Sequence, residues 1–441
     1  MKKTIAVTTL GCKVNQFESA SFITGFTDAG HEIVPFSGPA DVYVINTCGV
    51  TARAGQQSRQ LVRRAIRTNP EARIIVTGCY AQIAAEQLVE ISDRQICIIG
   101  NGNKHLLVAT ALKKNLPELT MLTGNIGLQK EICRLPVRRF RGRTRCYLRI
   151  QDGCNNFCSY CIVPYSRGRS RSLPKAAVLE QGELFREQGY REMVITGINV
   201  GKYGLDLQEG QDIYSLLDAL CCNFPDMRIR LSSIEPTEVN EQLLTTIAQH
   251  ANFMPHLHIP LQSGDDRILA RMNRRYTAEV FVGVIGKIAA AFPHAAIGCD
   301  VLAGFPGEDE AAAENTYRLL QGLPVSYLHV FPYSARPGTP AASMANQING
   351  KIKNKRVRRL RRLDQEKRQS FYRRQQGTSH GVLVERRNKN GLLQGFTENY
   401  IPVHFAGATS LIRQVVRVRF DEIKDKQPIA HLEKDQGKNE P

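Results

Sequence analysis

Short apolar runs alternate with longer helical stretches over residues 1–115. The apolar runs are rich in Val and Ile, as buried parallel strands are, and they read TIAVTTLG, DVYVINTC, RIIVTGC and QICIIG. Between the first two, QFESASFITGFTDAG has helical character and ends at Gly30, a typical helix stop. We therefore predict an N-terminal domain with a parallel sheet covered by helices.

The same alternation resumes over residues 141–375, beyond a predicted linker at 116–140. Helical stretches separate six strand candidates: CYLRIQD, EMVITGINV, RIRLSSIEP, HLHIPLQS, AIGCDVLAGF and YLHVFPYS. Six successive βα units in one domain predict an incomplete (β/α)6 barrel. The fold class is therefore α/β.

The end of the chain has a different pattern. Residues 351–375 hold twelve Lys and Arg residues and two acids, with an apolar stripe of Val357, Leu360, Leu363 and Phe371. This predicts a helix that packs by its stripe and exposes a basic face. Residues 376–441 contain short alternating runs separated by turns, which predict a small β-barrel.

The amino-acid composition indicates which class of molecule the protein binds. The 441 residues carry a net charge of +18, which favours a polyanion such as nucleic acid. The segment RLPVRRFRGRTRCYLR has seven arginines and no acid, and is either a solvated connector or a phosphate-binding segment. No apolar run reaches the ~18 residues of a spanning helix. We expect no membrane association and a cytoplasmic location, where clustered cysteines bind metal or act in catalysis.

Three of the twelve cysteines occupy equivalent places in the N-terminal domain. Cys12, Cys48 and Cys79 each come just after one of the first three predicted strands, beside a glycine. The carboxyl ends of parallel strands lie at one edge of a sheet, where ligand sites form. We therefore predict that the three thiols form a shared metal site, against the alternative that each is a small buried filler.

A second cysteine trio follows the first barrel strand with the spacing C-x3-C-x2-C. Cys154, Cys158 and Cys161 would each hold one iron of a four-iron cluster, which leaves the fourth iron open to a small molecule. The alternative is a zinc site closed by a fourth ligand such as Cys146.

This second trio, with Tyr160 before its last cysteine, resembles the signature of radical S-adenosylmethionine (SAM) enzymes. Within that superfamily, TLGCKVNQFES, VINTCGVT and VTGCYAQ resemble the three cysteine motifs of the methylthiotransferases. CNNFCSYCIVPYSRGRSRS, HLHIPLQSGDDRIL, GFPGE and FPYSARPGTP resemble their radical domain. The C-terminal β module takes the place of their RNA-binding TRAM domain, so the resemblance covers nearly the whole chain.

The resemblance implies cofactors and site residues. It implies two [4Fe-4S] clusters, an auxiliary one on Cys12, Cys48 and Cys79 and a radical-generating one on the 154–161 trio. SAM would bind the open iron of the latter. The expected contacts to SAM or its nucleoside are Thr196, Gly197, Asn199, Gln262 and Ser263. No catalytic side chain is expected beyond the cluster ligands.

The resemblance also limits the substrate. The family modifies an adenosine beside the tRNA anticodon or an aspartate of a ribosomal protein. The basic charge and the β module, with aromatics such as Phe396 and Tyr400, favour an anticodon loop whose bases can unstack. GCKVN around Cys12 resembles the branch that acts on N6-threonylcarbamoyladenosine at tRNA position 37, giving its 2-methylthio derivative.

Other readings remain open. GCQMN is typical of the N6-isopentenyladenosine branch and GCPKN of the ribosomal-protein branch. An electron donor such as flavodoxin or ferredoxin is implied in every branch. Two hypotheses of another class are a non-catalytic iron–sulfur protein and a zinc protein, each binding RNA. The sequence does not indicate an oligomeric state.

Overall fold

The computed structural model describes residues 2–91, 96–115, 117, 119–207 and 210–433, so the last eight residues of the predicted 376–441 module lie outside it. In the described part of the chain, no helix has both the length and the apolar character needed to cross a membrane. The cysteines are all free thiols.

The N-terminal domain is a parallel sheet covered by helices, as predicted, with six strands in the order β2-β1-β3-β4-β5-β6. The apolar runs predicted four of them, and the short edge strands β2 and β6 were not predicted. Its elements are β1 (Thr4–Thr9), α1 (Lys13–Asp28), β2 (Glu32–Val34), β3 (Val42–Thr47), α2 (Ala52–Thr68), β4 (Arg73–Gly78), α3 (Cys79–Ile83), α4 (Ala85–Val89), β5 (Ile96–Ile99), α5 (Leu107–Leu112) and β6 (Leu119–Leu122). Strand β6 lies inside the predicted linker and completes this sheet. The domain boundaries drawn from the sequence stay predictions.

The central domain has the predicted six parallel barrel strands in two sheets, β11-β10-β7 and β12-β13-β14. Parallel bridges Ile229–Phe253 and Ser233–His258 join the sheets, so β7 and β14 are the two free edges of an incomplete barrel. Its elements are β7 (Cys146–Arg149), β8 (Gln151–Asp152), α6 (Val163–Arg167), β9 (Arg171–Ser172), α7 (Lys175–Glu187), β10 (Glu192–Thr196), α8 (Ile213–Asn223), β11 (Arg228–Leu231), α9 (Glu241–Ala248), β12 (His256–His258), α10 (Asp266–Arg271), α11 (Ala278–Ala291), β13 (Ala296–Ala303), α12 (Glu310–Gly322), β14 (Tyr327–Pro332), α13 (Pro340–Ser343) and α14 (Gly350–Arg373).

The N-terminal domain covers the open side of this barrel. Helix α1 packs against the free edge β7, and the backbone N–H of Ala52 donates to Ser334 Oγ (3.1 Å) just beyond β14. The segment between the domains is packed as well, because Phe140 is buried between Phe17 (6.4 Å between ring centroids) and Tyr147 (5.4 Å). The two domains therefore share one core.

The C-terminal module is a closed five-stranded barrel of order β15-β16-β17-β19-β18, as predicted. Its strands are β15 (Ser379–Arg387), β16 (Leu393–Thr397), β17 (Pro402–Phe405), β18 (Val415–Lys424) and β19 (Gln427–Leu432). Helix α14 leads into it and buries the predicted apolar stripe. Arg230 Nη1 donates to the carbonyl of Glu398 (3.0 Å), which fixes the module to the central barrel.

Candidate active site

The first cysteine trio converges at one edge of the N-terminal sheet. β1, β3 and β4 are neighbours, and Cys12, Cys48 and Cys79 follow their carboxyl ends. Gly11, at φ +100°, brings the backbone so close that an added Cβ would lie 3.0 Å from Cys48 Sγ. Burial, and next the neighbouring Cys79, raise the pKa of the Cys48 thiol to about 11. The structure thus brings these three predicted ligands together.

The second trio lies in the loop between β8 and α6, at the carboxyl end of the barrel. A turn in which the N–H of Cys161 donates to the carbonyl of Cys158 (2.9 Å) holds these two residues together. Burial, and next the charge of Cys158, raise the pKa of Cys161 to about 12, and burial is the main cause that raises the pKa of Cys154 to about 11. Arg274 Nη1 donates to Cys158 Sγ (3.3 Å) and so places a positive charge beside that sulfur.

Both trios fit a polynuclear cluster better than one metal ion. Zn–S bonds of ~2.3 Å would place zinc-bound thiols within ~4 Å of one another. Among the described residues, the groups whose ligand atoms all lie within 4.8 Å include neither trio. Cys146, the candidate for a fourth zinc ligand, lies at the opposite end of β7 and donates to the carbonyl of Glu192 (3.4 Å). Three thiolates on three different irons fit this arrangement.

A buried charge network connects the two trios. Arg167, which follows the second trio on α6, donates to Asp152 (2.9 Å) and to Glu18 (3.1 Å) on α1. Lys104 forms an ion pair with the same Glu18. Burial acts to lower the pKa of Arg167, but Asp152, Cys79 and Glu18 outweigh it and raise the pKa above its usual range. The guanidinium therefore remains a fixed positive charge near the first trio.

The five predicted SAM contacts all lie at the carboxyl end of the barrel. Thr196 ends β10, and the Oε1 of Gln151 accepts from the backbone N–H of Asn199 (2.8 Å) just beyond Gly197. Gln262 has φ +68°, and the hydroxyl of the buried Ser263 lies 3.4 Å from that of Thr316. Their binding of SAM stays a prediction.

Glu235 and Glu238 lie close to the second trio and were not predicted from the sequence. Glu235 pairs with Arg274, next to Cys158, and Glu238 Oε1 lies 3.7 Å from Lys202 Nζ. Burial, and next the charge of Glu235, raise the pKa of Glu238 to about 7. The available signal was the acidic pair in IEPTE directly after a barrel strand, the position where barrels place functional groups.

Polar side chains line the inner wall of the second half-barrel. Tyr327 OH lies 2.7 Å from His256 Nε2 and 3.0 Å from His258 Nδ1, and Asp300 Oδ1 lies 2.9 Å from His258 Nε2. The ring of His329 packs on that of His258, with centroids 4.9 Å apart. These residues form a hydrogen-bonded wall inside the barrel.

The C-terminal module packs against the floor of the barrel through two aromatic rings. Phe396 and Tyr400, the candidate RNA-binding aromatics, stack on each other with ring centroids 4.8 Å apart. Tyr400 also packs on His256 (4.6 Å) and under the guanidinium of Arg230 (4.8 Å). The two aromatics help to attach the C-terminal module to the barrel, and both residues remain partly exposed, so their contact with RNA stays a prediction.

Gly78 provides a test of the first trio. It has φ +97°, and an added Cβ would lie 2.3 Å from the carbonyl oxygen of Thr47. We expect Gly78→Ala to lower the free energy of unfolding by about 2–3 kcal/mol and to lower the iron content, since Cys79 follows directly. Gly30→Ala is the matched control, because Gly30 has φ +80° with no atom within 4 Å of the added Cβ, so about 1 kcal/mol is expected. Equal losses in thermal unfolding of the two variants would contradict this.

Comparison with known proteins agrees with this geometry. Residues 4–100 match an uncharacterized protein family, UPF0004, and residues 148–320 match the radical SAM superfamily. The threonylcarbamoyladenosine tRNA methylthiotransferase MtaB of Bacillus subtilis is 38% identical over 423 residues, 94% of this chain and 93% of that protein. MtaB of Aquifex aeolicus is 38% identical over 416 residues, 94% of this chain and 99% of that protein.

More distant proteins share the architecture. A tRNA-2-methylthio-N(6)-dimethylallyladenosine synthase of Fusobacterium nucleatum is 33% identical over 433 residues, 96% of this chain and 98% of that protein. The solved radical S-adenosylmethionine methyltransferase TsrM of Kitasatospora setae superposes with a TM-score of 0.56 at 16% identity, over 78% of this chain and 77% of that one, which shows a shared fold. With two cysteine trios on two joined parallel sheets and relatives of this identity over almost its full length, the chain belongs to the radical SAM methylthiotransferase family.

Proposed function

We propose that this protein is a tRNA-modifying enzyme that converts N6-threonylcarbamoyladenosine at position 37 into its 2-methylthio derivative. The observation that carries the proposal is the pair of cysteine trios, one at the carboxyl edge of each sheet, joined by the Arg167 network. The names of the relatives at 38% identity supply the substrate class.

The side chains of the chain have distinct tasks in this function. Cys154, Cys158 and Cys161 would hold the cluster that binds SAM, and Cys12, Cys48 and Cys79 the auxiliary cluster. When bound, the clusters and SAM supply electron transfer, hydrogen abstraction and methylthio transfer. The cations Arg274 and Arg167 place positive charge beside Cys158 and near Cys12 and Cys79, respectively.

The N-terminal domain closes the open side of the barrel, where the proposed active site lies. The cover that α1 and the loop at Ala52 place over the open barrel side limits the entry of water. Thr196, Gly197, Asn199, Gln262 and Ser263 would orient SAM at the carboxyl end of the barrel. The five residues supply hydroxyl, amide and backbone groups for a polar ligand.

The basic surface supports tRNA as the substrate. A groove of about 680 Å³ runs between α1, the interdomain segment and the C-terminal module, and five arginines line it: Arg138, Arg139, Arg141, Arg143 and Arg413. Exposed arginines of α14, among them Arg358 and Arg361, add a second basic face. Such groups bind phosphates without reading sequence, while an anticodon loop offers bases that can leave the stack. A cytoplasmic location and a donor such as flavodoxin or ferredoxin belong to the same proposal.

Nucleoside mass spectrometry tests this function. In tRNA from cells that lack the gene, we expect the methylthio mark to be lost from threonylcarbamoyladenosine while the methylthio isopentenyl nucleoside remains. The reverse pattern would assign the protein to the isopentenyl branch, and no change in either nucleoside would point to the ribosomal-protein substrate or to no activity.

Metal analysis of anaerobically purified protein tests the non-catalytic zinc alternative. We expect about eight irons per chain, the content of two four-iron clusters. Zinc with little iron would contradict the proposal. Full iron content with no SAM cleavage under reduction would support a non-catalytic iron–sulfur protein.

A further inference from the structure

The barrel contains an open cleft beneath the N-terminal domain. On β14, Leu328 and Val330 are 3% and 7% exposed, because they face the surrounding helices. Phe331 on the alternate face is 49% exposed, and the side chain of His329, which shares that face, is 50% exposed. Inward-facing residues with this much exposure line a space inside the barrel that side chains do not fill.

Lys13 belongs to the cover of this cleft. It is partly buried and is the first residue of α1, directly after Cys12, on the helix that packs against β7. The charged groups that act on it are Arg145, which precedes β7, Arg230 on β11, its chain neighbour Cys12, and Asp300 on β13. Three of these four groups belong to the barrel, so the ammonium group lies between the first trio and the barrel.

The charged neighbours of Lys13 are already paired with other groups. Arg230 Nε lies 2.7 Å from Glu192 Oε1, and Arg145 Nε lies 2.9 Å from Glu385 Oε1. Asp300 is shared between His258 (2.9 Å) and His329 (3.5 Å).

Lys13 itself has no such partner. Across the residues that the structure describes, no carboxylate oxygen lies within 4.0 Å of Lys13 Nζ. A partly desolvated ammonium group without a counter-ion is unfavourable, and an anionic group entering the cleft would compensate it.

The proposed substrate carries a negatively charged group on the N6 substituent of its adenine. The threonylcarbamoyl substituent is attached to N6 of adenine and ends in a carboxylate. In adenine, N1 lies between C2 and C6, and C6 carries N6. C2 and the N6 substituent are therefore on the same edge of the base, so a base whose C2 faces the auxiliary trio presents its N6 substituent close to that trio. Lys13 is the residue next to Cys12 in that trio.

We propose that Lys13 binds the carboxylate of the threonylcarbamoyl group and so selects this nucleoside over adenosines with an uncharged N6 substituent. The inference rests on the proposed function. It assigns the selection of the nucleoside to Lys13 on the helix that covers the cleft. The half-exposed Phe331 offers an aromatic face on which the base can stack.

A charge-matching experiment tests Lys13. The substrates are two synthetic anticodon stem-loop RNAs, one with threonylcarbamoyladenosine and one with its methyl ester, which lacks the charge. We expect the wild-type holoenzyme to prefer the acid by about 10- to 100-fold in kcat/KM, the range for a charge-assisted contact. The preference should fall to about one in Lys13→Met and be largely kept in Lys13→Arg. Lys2→Met, which removes an exposed lysine of the same domain, should keep the wild-type ratio.

A binding measurement supplies a readout independent of turnover. By fluorescence anisotropy without an electron donor, wild-type holoenzyme should bind the acid RNA about tenfold or more tighter than the ester RNA, and Lys13→Met should bind them equally. An unchanged acid-to-ester ratio in Lys13→Met at wild-type iron content would overturn the inference. Equal losses on both RNAs with loss of iron would instead assign Lys13 a structural role, and a raised KM for SAM alone would assign it to the SAM carboxylate. Either result also overturns it.

Failure of the proposed function has a different signature. Wild-type enzyme that cleaves SAM but modifies neither RNA would refute both the function and the role of Lys13. Wild-type enzyme that modifies both RNAs with equal efficiency would refute only the role of Lys13.

Discussion

Replacing Cys12 with alanine is expected to reduce methylthio product by more than about 100-fold while reductive cleavage of SAM continues. The two trios belong to different sheets, and the 154–161 loop does not depend on Cys12 for its turn. Iron should fall from about eight to about four per chain. Product, 5′-deoxyadenosine and iron, measured on the same anaerobic sample, check the three parts of this expectation.

Two further variants serve as controls for Cys12→Ala. Cys97→Ala removes a buried thiol from β5 of the same sheet, outside the trio, and should keep the iron content and the product. Cys158→Ala should lose SAM cleavage and product together, because the second trio would be incomplete. If Cys12→Ala kept eight irons, or lost SAM cleavage as Cys158→Ala does, the division of tasks between the trios would be wrong.

Local patterns were sufficient to predict the three architectures. Period and length of the apolar runs identified four of the six N-terminal strands and the six barrel strands, because most of them are largely buried, as β3 is over all six residues. The edge strands β2 and β6 were missed, since they are short and partly exposed. The convergence of Cys12, Cys48 and Cys79 followed from the rule that parallel strands end at one edge. These predictions needed only the residue pattern within a few positions of each motif.

Local sequence patterns could not predict the contacts between segments that are distant in the chain. Arg167 meets Glu18, 149 residues earlier in the chain, and no local signal links the two. The packing of the Tyr400 ring under Arg230 was equally unpredictable, because sequence does not tell which side of a small barrel faces its neighbour. The same holds for Lys13, because only the assembled cleft shows that it has no carboxylate partner among the described residues. Residues expected to bind SAM likewise stay predictions, as their contacts depend on the bound ligand.

Neutralising Glu18 is expected to cause the largest loss of stability. Burial alone would raise the pKa of this carboxyl, but Arg167, Lys104 and Arg149 hold it well below its usual range. Glu18→Gln would leave these buried cations without their shared counter-charge, and breaking such a network costs about 3–5 kcal/mol of unfolding free energy. Urea unfolding at pH 7, followed by circular dichroism because the chain has no Trp, measures the loss. The exposed Glu279→Gln should stay within about 0.5 kcal/mol of the wild type.

The pH dependence of the same variant gives an independent check. A folded pKa below the unfolded value of 4.5 means that the unfolded chain takes up the proton first as pH falls. The stabilisation from Glu18 is therefore complete well above pH 4.5 and declines as the pH falls below it toward the folded value. Wild type should accordingly lose more stability than Glu18→Gln between pH 7 and pH 4. Parallel pH profiles for the two proteins, or a loss below about 1 kcal/mol at pH 7, would show that the Arg167 network does not hold α1 on the barrel.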